Sequence, residues 1–339
     1  MKPFPTMRKK MRRSKNRSIK ESPLFWPVHW KGDVLSVLDE TLIPRRLNYI
    51  KVHTTAEAVK VIRDMKTRAF GQFLVVLNTF LLEINRHKGS EQNLVKKLEK
   101  TARALNNSRP TFPFAEVTSI VVGWARKAAD DQLNVRESLI KNINGYLQGI
   151  RFRRLERVKK IASLIKNRDS ILTHCNVSGE LAMAARICQE EGKDIHFFAT
   201  ETRPYFQGSK LTAWELGRMG ASVTLIADNA VASVMADGLV NKVIVGSDRS
   251  CANGDFANKI GTYPIAVLAK EFGIPFYVLT QPSNTIPRGE DIPIEIRQEK
   301  ELLTFNGRAT LPFKARGFYP GFDVVPHEFI TESLPIDVR

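Results

Sequence analysis

Two side chains that can exchange protons, the thiol of Cys175 and the carboxylate of Asp248, each follow an apolar run that the sequence predicts as a β-strand. A thiol and a carboxylate that face one another across a cavity suit acid–base catalysis, one as the acid and the other as the base. Asn258 and Lys259 stand at the predicted start of the next helix, where a cation and helix amides favour a phosphate. The pattern indicates proton transfer on a small phosphorylated carbon skeleton.

Cys175 has a structural alternative, and the other cysteines and the adjacent histidine are expected to have structural roles. Cys175 begins a strand-to-helix turn whose amides favour a thiolate, and a buried small hydrophobe is the alternative for any lone cysteine. His174 points to the opposite face of the strand, so we expect a structural histidine. Cys188 lies on the apolar face of a predicted helix and is assigned to the core, and Cys251 is expected to be a bystander in a loop.

Several classes of cofactor are not supported by any motif. No Gly-rich dinucleotide signature or P-loop follows a predicted strand, and no CxxC or HxxxH spacing offers a zinc site. Three cysteines in 339 residues do not make a disulfide framework. We therefore expect no cofactor, no metal and no nucleotide.

The composition is that of a soluble globular protein, with 43% apolar and 26% charged residues. The most apolar run, residues 70–84, is too short to cross a bilayer, and the amino terminus lacks the apolar core of a signal peptide. Residues 1–20 carry nine Lys and Arg, and subtracting these from the net charge of +17 leaves +8 for residues 21–339. We expect a cytoplasmic protein whose basic tail is a solvated extension, with non-specific contact to nucleic acid as the alternative.

The elements that must position the candidate residues fall into two regions. Gly32 and Asp33 predict a hairpin turn, and residues 54–130 show the three-to-four spacing of amphipathic helices. The basic segment 131–167 is predicted as a solvated connecting helix, because its charges face all round. The predicted boundaries are a basic disordered tail at 1–24, a hairpin and helical domain at 25–150, a connecting helix at 151–168 and a Rossmann-like catalytic domain at 169–339.

From residue 170 short β-rich runs alternate with helical segments, which predicts an α/β fold with a mainly parallel sheet. The predicted strands are 170–175, 195–200, 222–227, 242–247 and 275–280. The first four end in polar residues, namely Cys175-Asn176, the stretch "ETRPYFQG", Asp228-Asn229 and Asp248-Arg249. Because the carboxyl ends of parallel strands meet at one edge of a sheet, these side chains predict a site there.

Five segments resemble the S-methyl-5-thioribose-1-phosphate isomerase family: "THCN", "ETRPYFQGSKLTAWEL", "VGSDRSCANGDFANKIGTYPIAVLAKEFGIPFYV", "DIPIEIR" and "FDVVPHEFIT". They resemble more loosely the archaeal ribose-1,5-bisphosphate isomerases and the regulatory subunits of eukaryotic translation initiation factor 2B. The resemblance implies a helical amino-terminal domain, a Rossmann-like domain and a homodimer. It also implies an enzyme of methionine salvage that opens the ring of an aldose 1-phosphate and isomerises it to the ketose.

By this resemblance Cys175 is the catalytic thiol and Asp248 the catalytic acid. Asp248 would protonate the ring oxygen, and Cys175 would take the C2 proton and return it at C1, with hydride transfer left open as the alternative. The resemblance further implies five substrate contacts: Arg68, Arg109, Gln207, Asn258 and Lys259. The two arginines among them would hold the sugar phosphate.

Two segments depart from the family's pattern. The family's Arg-Gly-Ala-Pro-Ala turn is here "RAFGQF" at 68–73, with Phe70 in place of a small residue. The loop at 177–180 is one residue longer, as in the ribose-bisphosphate and initiation-factor relatives.

The leading hypothesis is an isomerase for a pentose 1-phosphate, with 5-methylthioribose 1-phosphate favoured. The alternatives are an isomerase for ribose 1,5-bisphosphate or 5-deoxyribose 1-phosphate, and a non-catalytic, ligand-sensing subunit.

Overall fold

A computed structural model describes residues 21–281, 286–305 and 307–336 of the chain. Residues 1–20 of the predicted basic tail lie outside the described part of the chain. Its predicted end at residue 24 is wrong, because Ser22 and Leu24 are already buried. Ser22 donates a hydrogen bond of 2.7 Å to Glu215, and Leu24 packs in an apolar cluster with Leu38 and Leu211.

The amino-terminal part is a small antiparallel sheet packed on helices. Its elements are Val28–Lys31 (β1), Val34–Leu38 (β2), Tyr49–Val52 (β3), Thr55–Arg63 (α1), Ala69–Arg86 (α2), Glu91–Asn106 (α3) and Phe114–Asp130 (α4). Gly32 and Asp33 form the predicted hairpin turn, since Lys31 pairs with Val34. The first helix begins at a capping box in which Thr54 and Glu57 satisfy one another's backbone amides. The apolar faces of these helices share one core, as their spacing in the sequence requires.

One 30-residue helix, Val135–Leu164 (α5), connects this core to the next. Leu139 and Ile143 lie in the first core, whereas Val158 and Ile161 lie in the core beneath the second sheet. The segment predicted as a separate connecting helix at 151–168 is therefore largely the second half of this helix.

The predicted solvation of that second half is wrong for two of its arginines. Arg154 and Arg157 are only 1% and 5% exposed. Both guanidiniums contact the buried carboxylate of Glu180 at 2.6 Å, so the charges are paired inside the protein instead of facing water.

The remainder of the chain forms a six-stranded, all-parallel sheet with helices on both faces, which confirms the predicted α/β class. Its elements and their neighbours are Ser170–Thr173 (β4), Glu180–Glu190 (α6), His196–Thr200 (β5), a π-helix at Gly208–Ala213, Trp214–Arg218 (α7), Ser222–Ile226 (β6), Val231–Ala236 (α8), Lys242–Gly246 (β7), Arg249–Ser250 (β8), Phe256–Lys259 (β9), Thr262–Glu271 (α9), Phe276–Leu279 (β10), Lys300–Leu303 (α10), Thr304–Phe305 (β11), Arg308–Ala309 (β12), Phe322–Val325 (β13) and Glu332–Ser333 (β14). The five predicted strands are all present, each slightly shorter than predicted.

The strand order of the sheet places the candidate acid and base together. The order is β14-β10-β7-β4-β5-β6, so the chain moves outward from β4 through β5 to β6 and then returns to the other side of β4 with β7. The switch point of the sheet lies between β4 and β7, and such points open a crevice at the carboxyl ends of the strands. Cys175 follows β4 and Asp248 follows β7.

Strands β13, β9 and β8 form a three-stranded antiparallel sheet, in that order. This sheet shows that the helix start predicted at Asn258 and Lys259 is wrong. Asn258 and Lys259 end β9, where Lys259 pairs with Phe322, instead of beginning a helix. Helix α9 begins at Thr262, after Gly261 has taken a left-handed φ of +104°. The β8–β9 hairpin turns through Gly254, also left-handed, as the sequence Asn253-Gly254-Asp255 predicts.

None of the helices in the described part of the chain is long and apolar enough to cross a membrane. The three cysteines all lie within the described residues and are free thiols. Cys188 is fully buried in the core, as predicted. Cys251 is buried in a small apolar cluster and does not line the cavity described below, which agrees with its predicted bystander role.

Candidate active site

A cavity of about 330 Å³ lies between the helical part and the carboxyl ends of β4, β5 and β7. The seven residues singled out from the sequence all line it: Arg68, Arg109, Cys175, Gln207, Asp248, Asn258 and Lys259. Their placement in one cavity agrees with the predicted site, and their individual roles stay predictions.

Cys175 stands in a strained turn that neighbouring threonines hold. Its φ is +62°, which non-glycine residues rarely adopt. Its backbone N–H donates to Oγ1 of Thr202 at 3.0 Å, and its carbonyl accepts from Oγ1 of Thr212. His174 points away, with Nδ1 2.7 Å from Oγ1 of Thr200 and Nε2 donating to the Ile260 carbonyl at 2.9 Å. Both ring nitrogens are thus used, as expected of a structural histidine.

The thiol of Cys175 is protonated at neutral pH in this arrangement. Burial raises the pKa of Cys175 to about 11, and the carboxylate of Asp248 adds to the increase. Lys259 and the backbone amide of Asn176 act in the opposite direction. The amide of the turn does favour the thiolate, as predicted, but loss of solvent outweighs this amide and the nearby positive charge.

The environment of Asp248 favours the protonated form of its carboxyl more than water does. Burial raises the pKa of Asp248, while Lys259, Arg109 and Arg249 oppose the shift. The backbone N–H of Asp248 donates to the carbonyl of Ala257 at 2.9 Å, which fixes the residue at the base of the β8–β9 hairpin. A general acid must hold a proton near the working pH, so the direction of this shift suits that role.

Lys259 lies close enough to Cys175 and Asp248 to lower the pKa of both. Burial lowers the pKa of Lys259, whereas Cys175 and Asp248 raise it. The ammonium donates to the carbonyl of Gly321 at 3.0 Å and lies 4.8 Å from the centre of the Phe322 ring. The adjacent Asn258 is 4% exposed and donates from Nδ2 to Oγ1 of Thr262 at 3.0 Å.

The two candidate arginines differ in how far their donors are already used. The guanidinium of Arg68 lies 5.2 Å from the centre of the Tyr205 ring, and its Nε has no hydrogen-bond partner among the described residues. Arg109 donates to Gln72 at 3.0 Å and to Glu295 at 2.8 Å, and its Nε is likewise without a described partner. Arg68 is therefore the more available of the two for an anion.

Gln207 presents an unused acceptor. Only 7% of its surface is exposed, and its Oε1 has no hydrogen-bond partner within the described ranges. Leaving a buried carbonyl oxygen unpaired costs about 1–3 kcal/mol. A hydroxyl group of a ligand would satisfy it.

One of the four predicted strand ends does not contribute to the cavity. The carboxylate of Asp228, after β6, accepts the backbone N–H groups of Thr202 at 2.6 Å and Arg203 at 2.7 Å. It therefore shapes the loop that carries Gln207, and the prediction of a direct site position is wrong.

A charged network that the sequence analysis missed forms another wall. Arg297 donates to Glu295 at 2.6 Å, to Glu301 at 2.8 Å and to the Tyr205 hydroxyl at 2.5 Å. Tyr205, Glu295 and Arg297 all line the cavity. All three belong to segments that carry the family resemblance, and Tyr205 also lies in the polar stretch that follows β5.

The wall opposite the sheet comes from the helical part and combines apolar side chains with four charged residues, Glu116, Arg153, Arg154 and Arg157. Its apolar members are Phe70, Phe73, Phe112, Phe114, Val117, Ile120, Tyr146 and Ile150. The cavity can thus hold a molecule that is polar and anionic at one end and apolar at the other. The described residues contain no group of His, Cys, Asp and Glu suited to a metal ion.

Residues 72–334 match the initiation factor 2 subunit family. The chain belongs to this family. It is 39% identical to the methylthioribose-1-phosphate isomerase of Thermosipho africanus and 38% identical to the 5-deoxyribose 1-phosphate isomerase of Moorella thermoacetica, each over 91% of this chain and 92% of the relative. The crystal structure of 5-methylthioribose 1-phosphate isomerase from Pyrococcus horikoshii is similar with a TM-score of 0.82, at 30% identity over 94% of this chain and 95% of that one. The predicted resemblance is confirmed.

Proposed function

We propose that the protein is an aldose–ketose isomerase that converts a pentose 1-phosphate, preferably 5-methylthioribose 1-phosphate, into the corresponding ribulose 1-phosphate. The observation that carries this proposal is the position of Cys175 and Asp248. They follow the two strands that flank the switch point and line one cavity, with Lys259 shifting the pKa of both. The names of the two similar relatives support the reaction class.

The proposed reaction begins with ring opening. Asp248 gives its proton to the ring oxygen as the bond between that oxygen and C1 breaks. The minor thiolate form of Cys175, whose own proton has gone to solvent, takes the C2 proton and returns it to C1, and the C2 hydroxyl gives its proton to Asp248 as the ketone forms. The ring oxygen gains a proton, one hydrogen moves from C2 to C1, and both side chains regain their starting states.

Binding is assigned to the remaining polar groups. The guanidinium of Arg68 and the Nε of Arg109 offer donors to the phosphate, and Lys259 adds positive charge. The free Oε1 of Gln207 would accept a sugar hydroxyl. A negative phosphate beside Lys259 would offset part of its effect on the thiol, so the pKa of Cys175 need not fall when substrate binds.

The apolar wall bears on the substituent at C5. A methylthio group or a hydrogen at C5 suits the aromatic and aliphatic side chains of this wall, where an unpaired charge is costly. Ribose 1,5-bisphosphate stays an alternative, because Arg153, whose Nε has no partner among the described residues, also lines the cavity. 5-Deoxyribose 1-phosphate is the second candidate, supported by the name of the relative from Moorella thermoacetica.

The test is an assay of ketose formation with the wild type, Cys175→Ser and Asp248→Asn. The substrates are the 1-phosphates of 5-methylthioribose, 5-deoxyribose and ribose, together with ribose 1,5-bisphosphate. Acid–base groups contribute about 10²- to 10⁴-fold, so each variant should lose at least that much. No ketose from any substrate would leave a non-catalytic, ligand-sensing subunit as the better interpretation. Full turnover by both variants would overturn the residue assignment.

Three further predictions accompany this proposal. The predicted homodimer can be checked by light scattering of the purified chain. The predicted independence of metal and nucleotide can be checked by assaying the dialysed protein with and without a chelator. The cytoplasmic location stays a prediction from the sequence.

A further inference from the structure

The ring of Tyr205 lies among three positively charged side chains of the cavity. Its centre is 5.2 Å from the central guanidinium carbon of Arg68, 5.7 Å from that of Arg297 and 5.8 Å from the ammonium nitrogen of Lys259. All four side chains line the cavity. A cation within about 6 Å of a ring centre is attracted by the electron-rich face of the ring. One aromatic ring therefore contacts three cations at once.

Two contacts hold the ring of Tyr205 in place. Its hydroxyl accepts a hydrogen bond of 2.5 Å from Arg297. The guanidinium of Arg297 is itself bound to Glu295 at 2.6 Å and to Glu301 at 2.8 Å. The centre of the buried Tyr319 ring lies 6.4 Å from that of Tyr205. Burial raises the pKa of Tyr205 to about 12, so the ring that faces the cations is fixed and uncharged near neutral pH.

The charges of the three cations are used to different extents. Arg297 is neutralised by salt bridges to the two glutamates that bind it. The Nε of Arg68 has no hydrogen-bond partner among the described residues, and the ammonium of Lys259 donates to the uncharged carbonyl of Gly321. Burial is the main cause of the lowered pKa of Lys259, and Arg68 lowers it further, so the two charges repel each other. An anion placed beside both would relieve that repulsion.

The contact with Tyr205 joins segments that are far apart in the sequence. Arg68 immediately precedes α2 in the helical part, Lys259 ends β9, and Tyr205 belongs to the stretch that follows β5. Long side chains lose rotational freedom when a ligand immobilises them, and a contact that fixes them beforehand reduces this cost of binding. The shared ring therefore prepares the two cations for one anion.

We propose that Tyr205 is a positioning residue that holds Arg68 and Lys259 as a phosphate-binding pair. This inference rests on the proposed isomerase function for the identity of the ligand, a sugar phosphate. The role of the ring concerns the phosphate group alone, so it can be measured with ligands that do not react.

The experiment measures, by calorimetry, the dissociation constants of inorganic phosphate and of ribitol 1-phosphate, which cannot isomerise. Tyr205→Leu should raise both about tenfold, equivalent to about 1.4 kcal/mol and within the range of a desolvated cation–π contact. Tyr205→Phe keeps the ring and should recover most of the affinity. Trifluorophenylalanine at the same position has nearly the shape of phenylalanine, but its fluorines withdraw electron density from the ring face, so binding should weaken again. This last variant keeps the test valid if Tyr205→Leu fails to fold.

Double variants separate positioning from simple packing. If Tyr205 acts through the two cations, the effect of Tyr205→Leu should shrink to about threefold or less when Arg68→Met or Lys259→Met is already present. Tyr277→Leu is the matched control, because the ring of Tyr277 lies 5.9 Å from the ammonium of Lys242 and does not line the cavity. It should leave both dissociation constants unchanged.

Three results would overturn the inference: no binding of either ligand by the wild type, unchanged dissociation constants in Tyr205→Leu, or an undiminished effect of this substitution in both methionine backgrounds. The ketose assay decides the proposed reaction separately. The expected binding pattern without ketose from any substrate would support the role of Tyr205 and overturn the proposed reaction. Turnover of a pentose 1-phosphate with binding unaffected by Tyr205→Leu would do the reverse.

Discussion

Glu215 holds the residue that follows the candidate thiol. Its Oε1 accepts a hydrogen bond of 2.7 Å from Nδ2 of Asn176, and its Oε2 accepts one of 2.7 Å from the hydroxyl of Ser22. The carboxyl is 1% exposed and forms no ion pair with the described residues. Burial raises the pKa of Glu215 to about 7. A buried carboxyl with no salt bridge among the described residues therefore holds the loop that follows Cys175.

Glu215→Gln should change how stability depends on pH. The folded protein binds the Glu215 proton more tightly than the unfolded chain, whose carboxyl has a pKa near its usual 4.5. The proton on Glu215 therefore stabilises the folded state. This contribution to the free energy of unfolding is fully present below pH 4.5 and is lost as pH rises through about 7. The wild type should therefore lose about 3 kcal/mol relative to the variant between pH 4 and pH 8.5. Urea unfolding at both pH values measures it, with Glu156→Gln on the exposed face of α5 as control. Parallel pH curves for wild type and Glu215→Gln would contradict the assignment.

Glu180→Gln should destabilise the protein severely. Burial alone would raise the pKa of Glu180, but Arg157 and Arg154 hold it below its usual range. Removing the carboxylate leaves two buried guanidiniums without their charge partner, at a cost of about 3–5 kcal/mol. The exposed pair of Lys159 and Glu156 provides the matched comparison, since its loss should cost about 0–1 kcal/mol. Equal midpoints in urea for Glu180→Gln and Glu156→Gln would contradict the expected difference.

The parallel sheet and the cavity residues were predictable because their signals are local. Short apolar strands alternate with helices in the sequence, and the carboxyl ends of such strands share one edge. That rule placed Cys175 and Asp248 side by side without knowledge of any contact. The family resemblance added Arg68 and Arg109, which no strand-end pattern marks, and it singled out Gln207 within the polar stretch that follows β5.

The remaining features depend on partners distant in sequence. Arg157 looks solvated within its own helix, because its partner Glu180 lies 23 positions further on. Lys259 looks like the start of a helix because the strand that pairs with it lies near residue 322. The protonation of Cys175 depends on how completely the fold removes water from it, which residue types at a turn do not reveal.

Gln207→Leu should weaken substrate binding without harming the fold. The free Oε1 of Gln207 is a buried acceptor that a sugar hydroxyl would satisfy. Its loss should raise KM roughly tenfold, equivalent to about 1.4 kcal/mol, with little change in kcat. The melting temperature should stay the same or rise, because an unpaired polar atom is removed. Gln189→Leu on α6, away from the cavity, is the control. A lowered melting temperature with unchanged KM would show that Gln207 is a structural residue.

The thiol of Cys175 should react as a thiolate only at high pH, and its two charged neighbours should shift that pH in opposite directions. Since its pKa is about 11, the rate of alkylation by iodoacetamide should rise about tenfold per pH unit from pH 7 to pH 10. Asp248→Asn removes a carboxyl that opposes the thiolate once it has ionised, so this variant should move the profile to lower pH. Lys259→Met removes a positive charge and should move it to higher pH.

Mass spectrometry of the modified peptide separates Cys175 from Cys251, whose pKa burial also raises to about 11. Cys175→Ser defines the background, and Asp237→Asn on the exposed end of α8 controls for a change in net charge. Because the proposed base is the thiolate and the proposed acid is protonated Asp248, kcat should fall on both sides of an optimum. A plateau of alkylation near pH 7 would mean that the fold does favour the thiolate, and the order of proton transfers would then have to be revised.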